Sequence, residues 1–199
     1  MMESPAAARI GPNAVIQIAD ALERRLGPGP ARDLLCSAGL GGYVDALPSQ
    51  MVDEREVIAL HAALRDRLPA RTARGVAREA GLGTGDYLLA HRIPRAAQTF
   101  LRFLPAAASS RLLLAAIARH SWTFAGSGRF AVRGTRPFLI TIKDCPICRG
   151  THATAPVCDY YAASFTRLFA RLVHPRARAR EIACIAEGAG ACRFEIDWR

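Results

Sequence analysis

The chain has 199 residues, 51% of them hydrophobic and 22% charged, with a mean hydropathy of +0.10; this is one domain of ordinary globular composition and excludes global disorder. Lys and Arg number 27 against 17 Asp and Glu, a net charge of +10 that favours anionic partners. The arginines are spread along the whole chain with no nucleic-acid-binding motif and no aromatic-interleaved basic stripe, so nucleic acid is not expected as a partner.

Asn13 is placed to cap a first helix, whose apolar positions Val15, Ile18, Ala19, Leu22 and Leu26 recur at helical spacing until Gly27-Pro28 stops it. A short helix ending at Leu34 to Cys36 follows. Asp53 is expected to cap the next, with Val57, Leu60, His61, Leu64 and Leu68 on one stripe and Pro69 as the stop. Gly81-Leu82-Gly83-Thr84-Gly85 reads as a helix C-terminus and turn, after which a helix carrying Tyr87 and Leu88 runs to Pro94. Two more helices flank Pro105, the second bearing Leu112, Leu113, Ala116 and Ile117. The apolar run Leu112 to Ala118 is far below the ~18 residues of a membrane span, and the N-terminus, with acidic Glu3 and no apolar stretch, does not read as a secretory signal.

From Trp122 the period changes to alternation: Trp122 and Phe124, Phe130 and Val132, then Phe138, Ile140 and Ile142, with turns at Gly126-Ser127-Gly128 and Gly134. A long helix returns with Tyr161, Phe165, Leu168, Phe169 and Leu172. Two closing strands, Glu181 to Ala186 and Cys192 to Trp198, are joined by a turn at Gly188 and Gly190. The expected fold is α+β in a single domain, 1–199: a mainly helical part, 1–119, then a small antiparallel sheet with its long helix, 120–199. The arginines at 167, 171, 176, 178 and 180 read as a solvated helix end, or as a docking surface for anionic lipid or an acidic protein.

Five of the six cysteines, at 145, 148, 158, 184 and 192, fall in the C-terminal third, a pattern better explained by metal than by disulfides in a chain with no secretory signal. Cys145-Pro146-Ile147-Cys148 is a C-x-x-C knuckle on a loop after a strand. Cys184 and Cys192 lie on adjacent strands, and Cys158 begins a helix, where the dipole stabilises a thiolate. Glu181, three residues before Cys184, points to the opposite face unless a bulge intervenes. Zinc in a closed, structural site is the expected occupant, with iron–sulfur ligation the alternative that suits the same residue types. Cys36, between apolar residues on a helix, reads as a buried, inert thiol.

The segments Cys158-Asp159-Tyr160-Tyr161, Glu181-Ile182-Ala183-Cys184 and Cys192-Arg193-Phe194-Glu195-Ile196 resemble the 4-vinyl reductase domain family. The resemblance implies a structural zinc on Cys158, Glu181, Cys184 and Cys192, which returns Glu181 to the site; Cys145 and Cys148 then displace Glu181, form a second site, or are spare. Ile10 to Ala14, Tyr87 to Pro94 and His120 to Phe130 are similar to a bacteriochlorophyll biosynthesis family of purple phototrophs, and this similarity covers nearly the whole chain. It implies a role in the magnesium–porphyrin branch, reduction of a vinyl group on divinyl protochlorophyllide, and a location in the cytoplasm or peripheral to the inner membrane. It further implies a fold shared with vesicle-tethering subunits and with dimeric sensors of hydrophobic ligands.

Vinyl reduction needs an electron source, yet no dinucleotide, flavin or phosphate-binding loop is recognisable; Gly81-x-Gly83-x-Gly85 starts no βαβ unit. The expectation is therefore an accessory protein that binds and delivers a magnesium–porphyrin, with the reductase itself or a scaffold for other pathway enzymes as alternatives. Tyr87, Phe100, Phe103, Trp122, Phe124 and Phe138 are candidate ligand walls. His91 and His120, each at a helix end, and His61 are candidate imidazoles for magnesium, with Arg92 or Arg95 facing a propionate. A homodimer is expected.

Overall fold

A computed structural model describes residues 8–198; Glu3, on which the absence of a signal was argued, lies outside the described residues. Arg9–Ile10 (β1) pairs antiparallel with Val52–Asp53 (β2) and ties the start of the chain to the third helix. Asn13–Leu26 (α1) buries Val15, Ile18, Ala19 and Leu22, and Pro28–Ser37 (α2) follows across Gly27, whose φ of 87° a side chain would strain. Asn13 is itself the first helical residue: Pro12 takes the cap position, and no side chain caps this helix. Asp53 caps Glu54–Arg67 (α3) as expected, its Oδ1 accepting the Arg55 backbone N–H at 2.8 Å. Cys36 on α2 is exposed rather than buried, because the helix turns only Ala31, Leu34 and Leu35 inward.

Ala70–His91 (α4) runs unbroken through Gly81, Gly83 and Gly85, so the expected helix end and turn there is not formed. The glycines serve packing instead. A Cβ on Gly81 would stand 2.2 Å from the Tyr160 carbonyl oxygen, and one on Gly85 2.6 Å from Arg167 Cβ. Bare backbone therefore lets α4 lie directly against the long helix Asp159–Leu172 (α8). Polar contacts lock this crossing: Ser164 Oγ donates to the Gly81 carbonyl at 3.0 Å, Thr84 Oγ1 and Tyr160 Oη are 2.7 Å apart, and the Asp159 carboxylate pairs with Arg74 at 2.9 Å and Arg78 at 3.1 Å.

Arg95–Phe103 (α5) and Ala106–Arg119 (α6) flank Pro105 as expected. Trp122–Ala125 is a short helix (α7), not a strand; Tyr161 Oη donates to the Phe124 carbonyl at 2.6 Å, and Gly126 at φ 57° ends the turn. Two alternating aromatics are too short a pattern to override that local geometry. The sheet comprises Arg129–Arg133 (β3), Phe138–Lys143 (β4), Arg178–Ala183 (β5) and Cys192–Asp197 (β6), antiparallel throughout in the order β3-β4-β6-β5. Phe138, Ile140, Ile142, Phe194 and Ile196 are buried, and Tyr161 and Phe165 of α8 meet Phe194 at ring-centroid distances of 6.2 and 5.6 Å. The α+β class is as expected; β5 ends at Ala183, three residues early, because Ile185–Glu187 turns into a 3-10 helix.

Candidate metal centre

Four separate pieces of backbone bring the five C-terminal cysteines to one place at the end of the sheet. Asp144, in the left-handed region at φ 52°, turns the chain out of β4, and Pro146–Cys148 then forms a 3-10 turn, so Cys145 and Cys148 both point inward. Cys158 is the residue immediately before α8; Cys192 opens β6 opposite Ile142. Between Glu181 and Ala183 the β5–β6 register shifts, with Glu181 facing Phe194, Ala183 facing Arg193 and Ile182 pushed outward. That bulge cancels the alternation that separates residues three apart, and it places Glu181 and Cys184 on the same side.

All five thiols are buried. Sγ–Sγ distances are 3.8 Å for Cys145–Cys158, 3.7 Å for Cys158–Cys192, 3.3 Å for Cys148–Cys192, 3.9 Å for Cys158–Cys184 and 3.8 Å for Cys184–Cys192. A tetrahedral zinc with Zn–S near 2.3 Å needs sulfurs about 3.8 Å apart. Two overlapping quartets have ligand atoms within 4.8 Å of one another: Cys145, Cys148, Cys158 and Cys192, and Cys158, Glu181, Cys184 and Cys192. The knuckle thus joins the same cluster and does not build a separate site.

The cluster is electrostatically unfinished without a cation. Glu181 Oε2 accepts the Cys158 backbone N–H at 2.7 Å, while its Oε1 is buried with no partner. Burial, reinforced by the neighbouring Cys184, pushes the Glu181 carboxyl up to about 9. Sulfur hydrogen bonds, with Cys145 first, draw Cys148 below the ordinary thiol value and push Cys158 above it. Crowded donors that cannot all ionise alone, beside an orphaned acceptor, are the environment that a soft divalent cation completes.

A second layer, not anticipated from the sequence, holds the knuckle. Glu54, at the start of α3, accepts the Ser127 N–H at 2.9 Å and Oγ–H at 2.8 Å, and pairs with Arg149 Nη1 at 2.9 Å. Arg149 follows Cys148 directly, and its other end donates to Ser127 Oγ at 2.9 Å and to the Asp144 carbonyl at 2.5 Å. The basic residue next to the C-x-x-C was the only available signal, since its partners come from α3 and the α7–β3 turn.

Beside the cluster lies a cleft of about 420 Å³, formed by α3, α4 and the loop 150–157. Its polar lining includes His61, Arg65, Arg74 and Thr151. His61 is 1% exposed with Nε2 unpartnered, and burial followed by the charge of Arg65 lowers it to about 3, so the imidazole is neutral. Arg65 donates to Thr151 Oγ1 at 2.8 Å and keeps a buried, unpartnered Nε.

The residues expected to wall a ligand are not gathered into one cavity. Phe124 is packed against Phe130, Tyr161 and Phe165. Tyr87 and His91 lie one turn apart on α4 with ring centroids at 4.8 Å. Phe100, Phe103 and Trp122 are exposed, as is His120, and Phe138 is core. Arg92 and Arg95 are on the surface between α4 and α5.

An α-helical half followed by a four-stranded sheet with α8 across it is the H-NOX type of architecture. The chain superposes on an Fe(II) unliganded H-NOX protein from K. algicida with a TM-score of 0.62 over 96% of this chain and 97% of that one, at 12% identity. A structure described as probing the function of heme distortion in the H-NOX family matches with a TM-score of 0.58, 11% identity, and 96% and 95% coverage. Residues 138–197, which hold all five clustered cysteines, match the model of the 4-vinyl reductase domain. The chain is 49% identical over 188 residues to the bacteriochlorophyll synthase 23 kDa chain of Cereibacter sphaeroides, covering 94% of this chain and 90% of that protein. It is 43% identical over 189 residues to the protein of the same name from Rhodobacter capsulatus, covering 94% and 86%. The chain belongs to this family of bacteriochlorophyll synthase 23 kDa chains.

Proposed function

We propose that the protein is an accessory factor of bacteriochlorophyll biosynthesis that binds a magnesium–porphyrin intermediate, divinyl protochlorophyllide or a precursor, and delivers it to the next enzyme. The observation that carries the reading is the near-full-length relationship to proteins named for bacteriochlorophyll synthesis. The fold supports it, because neighbours of the same architecture are described by their heme. A cleft of about 420 Å³ is within the range of small-molecule sites, and it opens to solvent, so one edge of a macrocycle would sit between the neutral His61 and Arg65. Tyr87, His91, Phe100, Phe103, His120, Trp122 and Phe124 are further ligand contacts in this proposal, as a surface over which an amphiphilic pigment enters and leaves. The metal is proposed to be zinc on Cys158, Glu181, Cys184 and Cys192, a structural staple that joins α8 to the β5–β6 hairpin.

Absorption titration with divinyl protochlorophyllide tests the reading. A shifted pigment band saturating at one equivalent per chain is the expected result, weakened by His61→Phe or Arg65→Gln. A single-vinyl product formed by pure protein with a defined reductant would replace it with the reductase. No spectral change at any concentration would leave the scaffold.

A further inference from the structure

Between Asp86 and Asp144 the chain has no acidic residue at all, while it carries nine basic ones, Arg92, Arg95, Arg102, Arg111 and Arg119 among them. This stretch holds α5, α6, α7, β3 and β4. Four of the six exposed large hydrophobic residues of the described chain fall in the same stretch: Phe103 at 85% exposure, Phe100 and Trp122 at 58%, and Leu112 at 48%. The two properties meet most clearly on α5. At 100° per residue, Ala96, Phe100 and Phe103 share one side of the helix, while Gln98 and Leu101 on the opposite side are buried. Arg95 and Arg102 lie along the edges between these two faces. Helix α5 therefore presents two aromatic rings outward, with guanidinium groups at their flank.

An outward apolar face of this kind costs free energy in water and marks a contact. Charge decides which contact. Arg92, Arg95, Arg111 and Arg119 enter no ion pair among the described residues, so their field is not cancelled locally. A second copy would bring the same positive field onto itself and repel it. An anionic bilayer surface complements both features at once: phosphate headgroups meet the arginines, and the rings enter the boundary between headgroups and acyl chains. Among the described residues no helix is long and apolar enough to cross a membrane, so such attachment lies in the plane of the surface.

We propose that the α5–α6 face docks on anionic lipid, with Phe100 and Phe103 as the inserted side chains and the unpaired arginines as the headgroup contacts. This goes beyond pigment binding and stands without it. The test is flotation of the full chain with vesicles of phosphatidylglycerol and phosphatidylcholine, compared with phosphatidylcholine alone. Wild type should float with the anionic vesicles and be released by raised salt. Each arginine near such a surface is worth about 1 kcal/mol, so Arg95→Gln/Arg119→Gln should weaken binding by about 20–30-fold. Phe100→Ser/Phe103→Ser should weaken it by at least tenfold with an unchanged circular dichroism spectrum, since both rings are already solvent-exposed. The proposal is overturned if wild type ignores anionic vesicles at low salt. It is equally overturned if Arg176→Gln/Arg178→Gln, on the other basic cluster, removes binding while the α5 variants do not. A third overturning result is that Phe100→Ser/Phe103→Ser dissociates a dimer and leaves flotation intact.

Discussion

Replacing Gly81 by alanine sets two calculable effects against each other. Alanine is favoured over glycine in a helix interior by about 1 kcal/mol, and Gly81 lies mid-way along α4. Against this, the new Cβ would stand 2.2 Å from the Tyr160 carbonyl oxygen and 2.9 Å from Ala163 Cβ. Neither neighbour can swing away, because one is backbone and the other is a methyl fixed to it, so α8 must move by roughly 1 Å to restore ordinary contact. Overpacking of this kind costs typically 1–3 kcal/mol, and at 2.2 Å the upper part of that range applies. The net expectation is a loss of about 1–2 kcal/mol, lowering Tm by about 2–8 °C in a chain of this size. Tyr160 is two residues from Cys158, so the displaced helix start should also reduce metal retention during dialysis. Gly83→Ala is the control: its Cβ meets only Gln17 Oε1, the end of a flexible side chain, at 2.2 Å, so the helix-propensity gain should survive and Tm should hold or rise. Thermal unfolding of both variants by circular dichroism decides the matter. A Gly81→Ala protein as stable as Gly83→Ala would refute the argument that these glycines exist for the α4–α8 contact.

Serine at Cys158 or Cys192, which both quartets share, should abolish stoichiometric metal in elemental analysis. Loss in Cys184→Ser and Glu181→Gln with retention in Cys145→Ser and Cys148→Ser would establish the proposed set; the reverse pattern would assign the ion to the four cysteines 145, 148, 158 and 192. Chelation of a tightly held zinc should cost about 4 kcal/mol of stability, read as a Tm fall of about 8–16 °C that zinc restores. Glu54 is held below its ordinary value of 4.5: burial opposes ionisation, but the Ser127 and Arg149 hydrogen bonds outweigh it. Its contribution is therefore complete above pH 4.5 and lost as pH falls through the lowered value, so Glu54→Gln should destabilise by about 2 kcal/mol at pH 7 and by much less in acid; denaturant titrations at the two pH values give the comparison.

Much of the architecture was legible because it rests on local patterns. The stripes of α1, α3 and α8, the Asp53 cap and the alternation of β4 and β6 each bury one face of one element, and periodicity reports that without knowledge of the partner. Misreadings arose where a neighbour overrode the local signal. Glycines at 81, 83 and 85 break helices on intrinsic grounds, yet here they are kept helical by what α8 requires of them. Trp122 and Phe124 alternate like a strand, yet the turn is closed by Tyr161 from α8 and ended by Gly126.

The metal centre divides along the same line. Residue type and spacing alone determined that Cys145, Cys148, Cys158, Cys184 and Cys192 are metal-ligating material, because thiolates in a knuckle, at a helix start and on a hairpin are chemically suited to a soft cation. Only the tertiary structure decided that all five share one site with Glu181. That convergence depends on a one-residue register shift in β5 and on a turn at Asp144 clamped by Glu54 and Arg149. A bulge and a clamp are set by the pairing of strands and by charges 95 residues apart in the chain, so no local window of sequence carries them.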